Sequence, residues 1–318
     1  MRRIVTAALA AVLGASAAQA AWPERPVQVL VPFAAGGITD VIARVAADRL
    51  QTDFKQPFVV ENEPGGAGII AAQRLARAAP DGYTLMSCPV FQITIAPFTH
   101  KVDFDPMKDF TPIAILATSP FVIAVRADLP VNTLSEFIAY AKSKPGQLNY
   151  GSAGPGSLTQ IVVVMFLKSA GLDMVHVPYK GIAPAFTDLL AGHIDMMAAT
   201  PVETKGYVGS GKVKFLAVTG AKPSPQLPGV PTVAETLPTS PPTETTHGIL
   251  APAKTPPDIV NAVAREIAAA EKNPEFRERL QRIGVEPALK TPAEFADIIA
   301  ADTARWREVV HDLGIKVQ

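Results

Sequence analysis

Four short runs of β-forming residues in this chain each end in a glycine-rich turn that opens a helical pattern, and this repeated unit restricts the fold more than any other feature. The first is Val29-Leu30-Val31-Pro32-Phe33-Ala34-Ala35-Gly36-Gly37-Ile38-Thr39-Asp40. Its β-formers give way to small residues, and an amphipathic pattern begins near Thr39 with Val41, Ile42, Val45, Ala46 and Leu50. The start of a helix leaves backbone N–H groups without intrahelical partners and carries a partial positive charge. Gly36 and Gly37 have no Cβ, so a ligand can approach those amides closely. The turn therefore suits an anion and needs no Lys or Arg to do so. Alone the motif is weak, because two glycines are common in βα turns.

The second turn is Tyr150-Gly151-Ser152-Ala153-Gly154-Pro155-Gly156-Ser157, ahead of the apolar helical pattern of Leu158, Ile161, Val162, Met165 and Phe166. Ser157 suits the N-cap, and the hydroxyls of Ser152 and Ser157 beside free amides would make a second anion cradle. An ordinary capped βα turn accounts for the same residues. It is not a nucleophile elbow, since Tyr150 stands where that motif needs Gly. The third turn, Val177-Pro178-Tyr179-Lys180-Gly181, offers a Tyr179 hydroxyl and a Gly181 N–H, with Lys180 read as a solvated surface charge. The fourth, Glu61-Asn62-Glu63-Pro64-Gly65-Gly66-Ala67-Gly68, fits structure and binding equally. Open α/β sheets bind ligands at the carboxyl edge of their strands, so four such turns predict a cleft lined with helix starts.

Strand and helix patterns alternate almost throughout, which predicts an α/β protein with parallel sheets built from βαβ units. Between 220 and 246 seven prolines leave few donors for a sheet, and the segment reads as extended chain with one helical turn at 233–236. An outgoing strand pair near Ala117 and a returning strand near Ile249 predict two lobes joined by two hinge crossings, with a ligand cleft between them. The expected division is 1–20 as a signal peptide, 21–118 plus 246–318 as lobe 1, and 119–245 as lobe 2.

Composition narrows the function. Arg2-Arg3, an apolar stretch to Ala18 and the Ala18-Gln19-Ala20 site read as a secretory signal peptide cleaved after Ala20. Removal of Arg2 and Arg3 from 29 basic residues, against 29 acidic, leaves a formal charge of −2. That balance, with no basic cluster, argues against a nucleic-acid partner. The single Cys88 excludes an internal disulfide and reads as a core residue. Gly206–Lys212 imitates a P-loop, but Val213 replaces the hydroxyl residue and the run follows a helix. The five histidines lack metal-ligand spacing, so no metal and no cofactor is expected.

In this order the turns resemble the substrate-binding proteins of tripartite tricarboxylate transporters, the Bug receptor family. The resemblance covers the mature chain and is carried by Trp22-Pro23, Val31–Gly37 with Thr39-Asp40, Val60-Glu61-Asn62, Pro80-Asp81-Gly82-Tyr83-Thr84-Leu85, Tyr150-Gly151-Ser152, Val177–Gly181, Leu216-Ala217-Val218-Thr219 and Val230–Glu235. It implies a monomeric, non-catalytic, type II-like periplasmic binding protein that closes on a small carboxylate and delivers it to integral-membrane permease subunits. One ligand carboxylate would be held by Gly36, Gly37, Thr39 and Asp40. The other pole would lie against Ser152, Gly154, Ser157, Tyr179 and Gly181, with Phe33 as an apolar wall. Ile38 and Gln160 depart from the family pattern, where a small hydroxyl residue and a His are frequent. Two rivals share these residues: a sensory receptor docking on a membrane kinase, and a periplasmic enzyme using Asp40 or Tyr179 as acid or base.

Overall fold

Apolar runs such as Val27–Val31 have no polar face to turn to water, so they form strands covered on both sides. The structure is a computed structural model, and residues 22–270 and 272–312 are described. The expected signal peptide, 1–20, lies outside the described residues. Three βα units open the first lobe: β1 (Val27–Val31), α1 (Ile38–Phe54), β2 (Phe58–Asn62), α2 (Ile69–Arg77), β3 (Thr84–Pro89) and α3 (Val90–Thr99). Strand β4 (Phe110–Pro120) then leads into the second lobe. That lobe holds β5 (Val122–Arg126), α4 (Leu134–Lys142), β6 (Asn149–Ser152), α5 (Leu158–Ala170), β7 (Val175–Pro178), α6 (Ile182–Ala191), β8 (Met196–Ala199), α7 (Pro201–Thr204) and β9 (Val213–Val218). After the short α8 (Val233–Thr236) the chain returns in β10 (Glu244–Pro252). It continues with α9 (Pro257–Ala270), α10 (Pro274–Arg282), β11 (Glu286–Lys290) and α11 (Pro292–Asp312).

The first sheet has the order β11-β4-β10-β3-β1-β2 and the second β7-β6-β8-β5-β9. Pairing is parallel from β2 through β1 to β3, and from β7 through β6 to β8. The all-parallel expectation fails beyond those strands: β10 is antiparallel to β3 and β4, and β5 to β8 and β9. The reason is connectivity, because β5 and β10 receive the chain from the other lobe and enter each sheet against its βα units. Helix α3 and strand β11 are additions to the sequence reading. Pro97 inside α3, its β-branched residues and its start at uncapped Pro89 hide it from pattern reasoning.

Each sheet carries its own core. Val29, Ile42, Leu50 and Val263 pack on one face of the first sheet, and Leu30, Met86, Phe295 and Ile299 on the other. Ile123, Phe137, Ile161 and Phe166 fill the main core of the second lobe. Helix α11 joins both. Its Phe295 and Ile299 belong to the first lobe's core, whereas Trp306 and Val310 belong to the second's. No described helix is long and apolar enough to cross a membrane.

Candidate functional site

At the β1–α1 junction the carboxylate of buried Asp40 fastens the turn. It accepts from the Gly36 N–H (2.9 Å), from Arg44 Nε (3.0 Å) and from Asn62 Nδ2 (2.9 Å), and Asn62 Nδ2 also donates to the Phe33 carbonyl (3.0 Å). Burial pushes this carboxyl up, but the hydrogen bonds from Arg44, Gly36 and Asn62 outweigh it and hold it below the usual carboxylate range. The Gly36 amide is thus engaged by Asp40, and a φ of +85° explains why glycine stands there. Gly37, the extended N-cap of α1, has no side-chain cap, which leaves the first-turn amides of this helix open at the turn.

In the second lobe the β6–α5 and β7–α6 turns are tied together. Tyr179 N–H donates to the Ser152 carbonyl (3.0 Å) and Gly181 N–H to the Ala153 carbonyl (3.3 Å). Ser152 is buried, with its hydroxyl 2.7 Å from His176 Nε2 and accepting from the Gly154 N–H (3.1 Å). Gly154 has a φ of +126°, and a Cβ there would come within 3.2 Å of the Tyr179 carbonyl. Ser157 caps α5, accepting from Gln160 N–H (3.4 Å) and donating to the Gly154 carbonyl (2.7 Å). Gln160, the departure noted above, accepts from the Gly156 N–H (2.7 Å) and lies 3.2 Å from His176 Nδ1. The Tyr179 hydroxyl donates to Asp188 (2.7 Å), and burial together with that carboxylate pushes it up to about 12. Lys180 is exposed, as its sequence reading had it.

Between the lobes lies a cleft of about 590 Å³. All six junctions at the carboxyl ends of the parallel strands contribute to it, through Gly37, Ile69, Pro89, Ser157, Ile182 and Thr200 among others. Of the sequence-nominated residues, Phe33, Gly37, Thr39 and Ser157 line the cleft, and Ile38 does too. Gly36, Asp40, Ser152, Gly154, Tyr179 and Gly181 are not among the lining residues, and each takes part in the hydrogen bonds of the turns. Among the described residues no Lys or Arg lines the cleft, and the walls are largely apolar, with Phe91, Ile95, Phe121 and Leu158 facing the space.

Several wall residues escaped the sequence reading. Phe91, Gln92, Thr99 and His100 come with the unforeseen α3. Thr245 and His247 come from β10, and Thr200 and Glu203 from α7. The last pair had a legible signal, since Thr200-Pro201-Val202-Glu203 is a capping box with Pro at the first helical position. His247 is buried, and burial pushes it down to about 4, so its ring is neutral at ordinary pH. Cys88 sits in the first lobe's core with its thiol pushed up to about 12 by burial, which leaves no reactive thiolate. Among the described residues no cluster of His, Cys, Asp and Glu could hold a metal ion.

The sequence profile of the tripartite tricarboxylate transporter family receptor matches residues 42–315. A protein encoded in the gbd 5′ region of Cupriavidus necator is 37% identical, over 98% of this chain and 94% of its own length. The protein BugT of Bordetella pertussis is 31% identical, over 99% of this chain and 96% of its own. Among solved structures, a Rhodopseudomonas palustris protein with adipate superposes with a TM-score of 0.80 at 34% identity, covering 93% of this chain and 100% of that one. MatC of the same organism, with bound malate, gives 0.74 at 33%, covering 91% and 100%. The periplasmic binding protein BugD gives 0.77 at 33%, covering 93% and 100%. With its two lobes, its cleft of helix starts and these relatives over nearly its whole length, the chain belongs to the tripartite tricarboxylate transporter receptor family of periplasmic solute-binding proteins.

Proposed function

We propose that this protein is a periplasmic receptor for a small organic carboxylate, which it binds by closing its lobes and passes to the membrane permease subunits of a tripartite transporter. The observation that carries this reading is the uncapped start of α1, open to a cleft that no Lys or Arg lines among the described residues. Such amides, aimed by a turn that Asp40 already holds in shape, favour an anion without an opposing side-chain charge. In this reading Gly37, Thr39 and Ser157 meet the ligand and Phe33 forms a wall. Gly36, Asp40, Ser152, Gly154, Tyr179 and Gly181 keep the turns in place. Relatives solved with adipate and malate support a carboxylate as the ligand class.

Closure removes water from the cleft and turns each amide contact into a charge-assisted bond. At roughly 1.5–3 kcal/mol apiece, two or three such bonds with modest apolar burial reach micromolar affinity. Nothing in this scheme requires turnover, and the family's solved members are binding proteins. Isothermal titration against mono-, di- and tricarboxylates and aromatic acids tests the reading, alongside mass spectrometry of any co-purified ligand. Micromolar binding of an acid, with a smaller radius of gyration in solution scattering, is expected. Tight binding of only a neutral sugar or a cation overturns it.

A further inference from the structure

Two polar side chains on the cleft wall have no part in holding the turns of the anion cradle. Glu203 is the third residue of the capping box on α7, and its Oε2 accepts from both the N–H (2.7 Å) and the hydroxyl (2.9 Å) of Thr200. Its Oε1 has no partner among the described residues, and the residue is one of those that line the cleft. His247, across in β10, is fully buried. Its Nε2 lies 3.5 Å from the Thr245 hydroxyl, while Nδ1 is buried with no partner among the described residues. A buried polar atom left bare is costly, and His247 is one of the residues that line the cleft, so a polar group brought beside it would be favoured.

Charge then decides which ligand. The uncapped start of α1 supplies a positive potential for one carboxylate. The cleft lining has no Lys or Arg to neutralise a second, and it already contains the carboxylate of Glu203. Two hydrogen bonds from Thr200 fix the Glu203 carboxylate on the wall, so an anion placed beside it meets a like charge. Between these groups the walls are apolar, through Phe33, Ile38, Phe91, Phe121 and Leu158.

Building on the carboxylate-receptor reading, we propose that the cleft selects a monoanionic acid whose second polar group is a hydrogen-bond donor, an ammonium or a hydroxyl. Glu203 Oε1 accepts from that donor and His247 Nδ1 completes the polar end, while a second ionised carboxylate is rejected. This is selection by a repulsive element as much as by an attractive one.

The test is isothermal titration at neutral pH with acids matched in length and differing only at the far end. The six-carbon set is 6-aminohexanoate, 6-hydroxyhexanoate, hexanoate and adipate. A four-carbon set carries the same end groups, and benzoate is added as an aromatic acid. The intact protein should bind the amino or hydroxy acid of one set at least about tenfold more tightly than the matching dianion. Glu203→Gln preserves the capping box, because Gln serves equally at that position. It should erase the preference, with the dianion gaining about tenfold and the amino acid losing about as much. His247→Phe should weaken the donor-bearing acids and leave hexanoate unchanged. Dianion binding as tight as that of the matched donor-bearing acids overturns the inference, as does a preference that survives Glu203→Gln. Binding of benzoate, or of the unsubstituted acids, with every donor-bearing acid rejected overturns it too and leaves the receptor reading standing. If none of these acids binds, the inference fails, and the receptor reading fails with it if the tricarboxylates and other acids of the wider titration do not bind either.

Discussion

At the scale of single residues, Gly36, Gly37 and Asp40 divide the work of one turn. A Cβ on Gly37 would meet nothing nearer than the Ala34 carbonyl at 3.6 Å, and the residue's extended φ of −75° suits any side chain. Gly37→Val should therefore melt as the wild type does, within about 0.5 kcal/mol. Because its branched side chain would block approach to the α1 amides, calorimetric binding should be lost. Unchanged affinity would mean that no ligand sits against this turn. Asp40 is different, since its removal takes an acceptor from the Gly36 N–H, from Asn62 Nδ2 and from Arg44 together. Asp40→Ala should cost roughly 1–3 kcal/mol in urea unfolding at neutral pH. Its folded-state value is depressed, so its contribution is present above the unfolded value and vanishes as pH falls through the lowered one. The difference between wild type and Asp40→Ala should shrink in acid, below the usual carboxylate range.

At the scale of elements, the helix starts written in glycine were the ones legible in the sequence. Four of the six cleft junctions were found that way, and Ser157 is the N-cap its position implied. The β3–α3 junction has neither signal, only Pro89-Val90, and tertiary packing keeps α3 helical despite Pro97. The cap on α5 makes a direct test. Ser157→Ala should cost about 1 kcal/mol of stability through loss of the Gln160 and Gly154 bonds. If ligand affinity also falls, the hydroxyl serves the cleft as well as the helix. Unaltered unfolding in the variant would show that Gln160, which clasps Gly156, caps the turn alone.

At the scale of the molecule, α11 limits how the lobes move. Eleven residues separate Phe295 in one core from Trp306 in the other, a rigid span of roughly 16 Å. Trp306→Ala should cost about 3–5 kcal/mol. In calorimetry it should split one unfolding transition into two, because α11 loses its main anchor in the second lobe's core. A single transition at the wild-type temperature would refute this coupling. The sequence by itself determined the α/β class, the two lobes and the glycine turn from Pro32 to Asp40, because each is written in contiguous residues with a local period or a local turn chemistry. Only the tertiary structure decided that Gly36, Tyr179 and Ser152 bond to protein partners, that β5 and β10 run against their sheets, and that His247 and Glu203 share one cleft. Those outcomes depend on contacts between residues far apart in the chain, and no local pattern encodes which distant partner a side chain will meet.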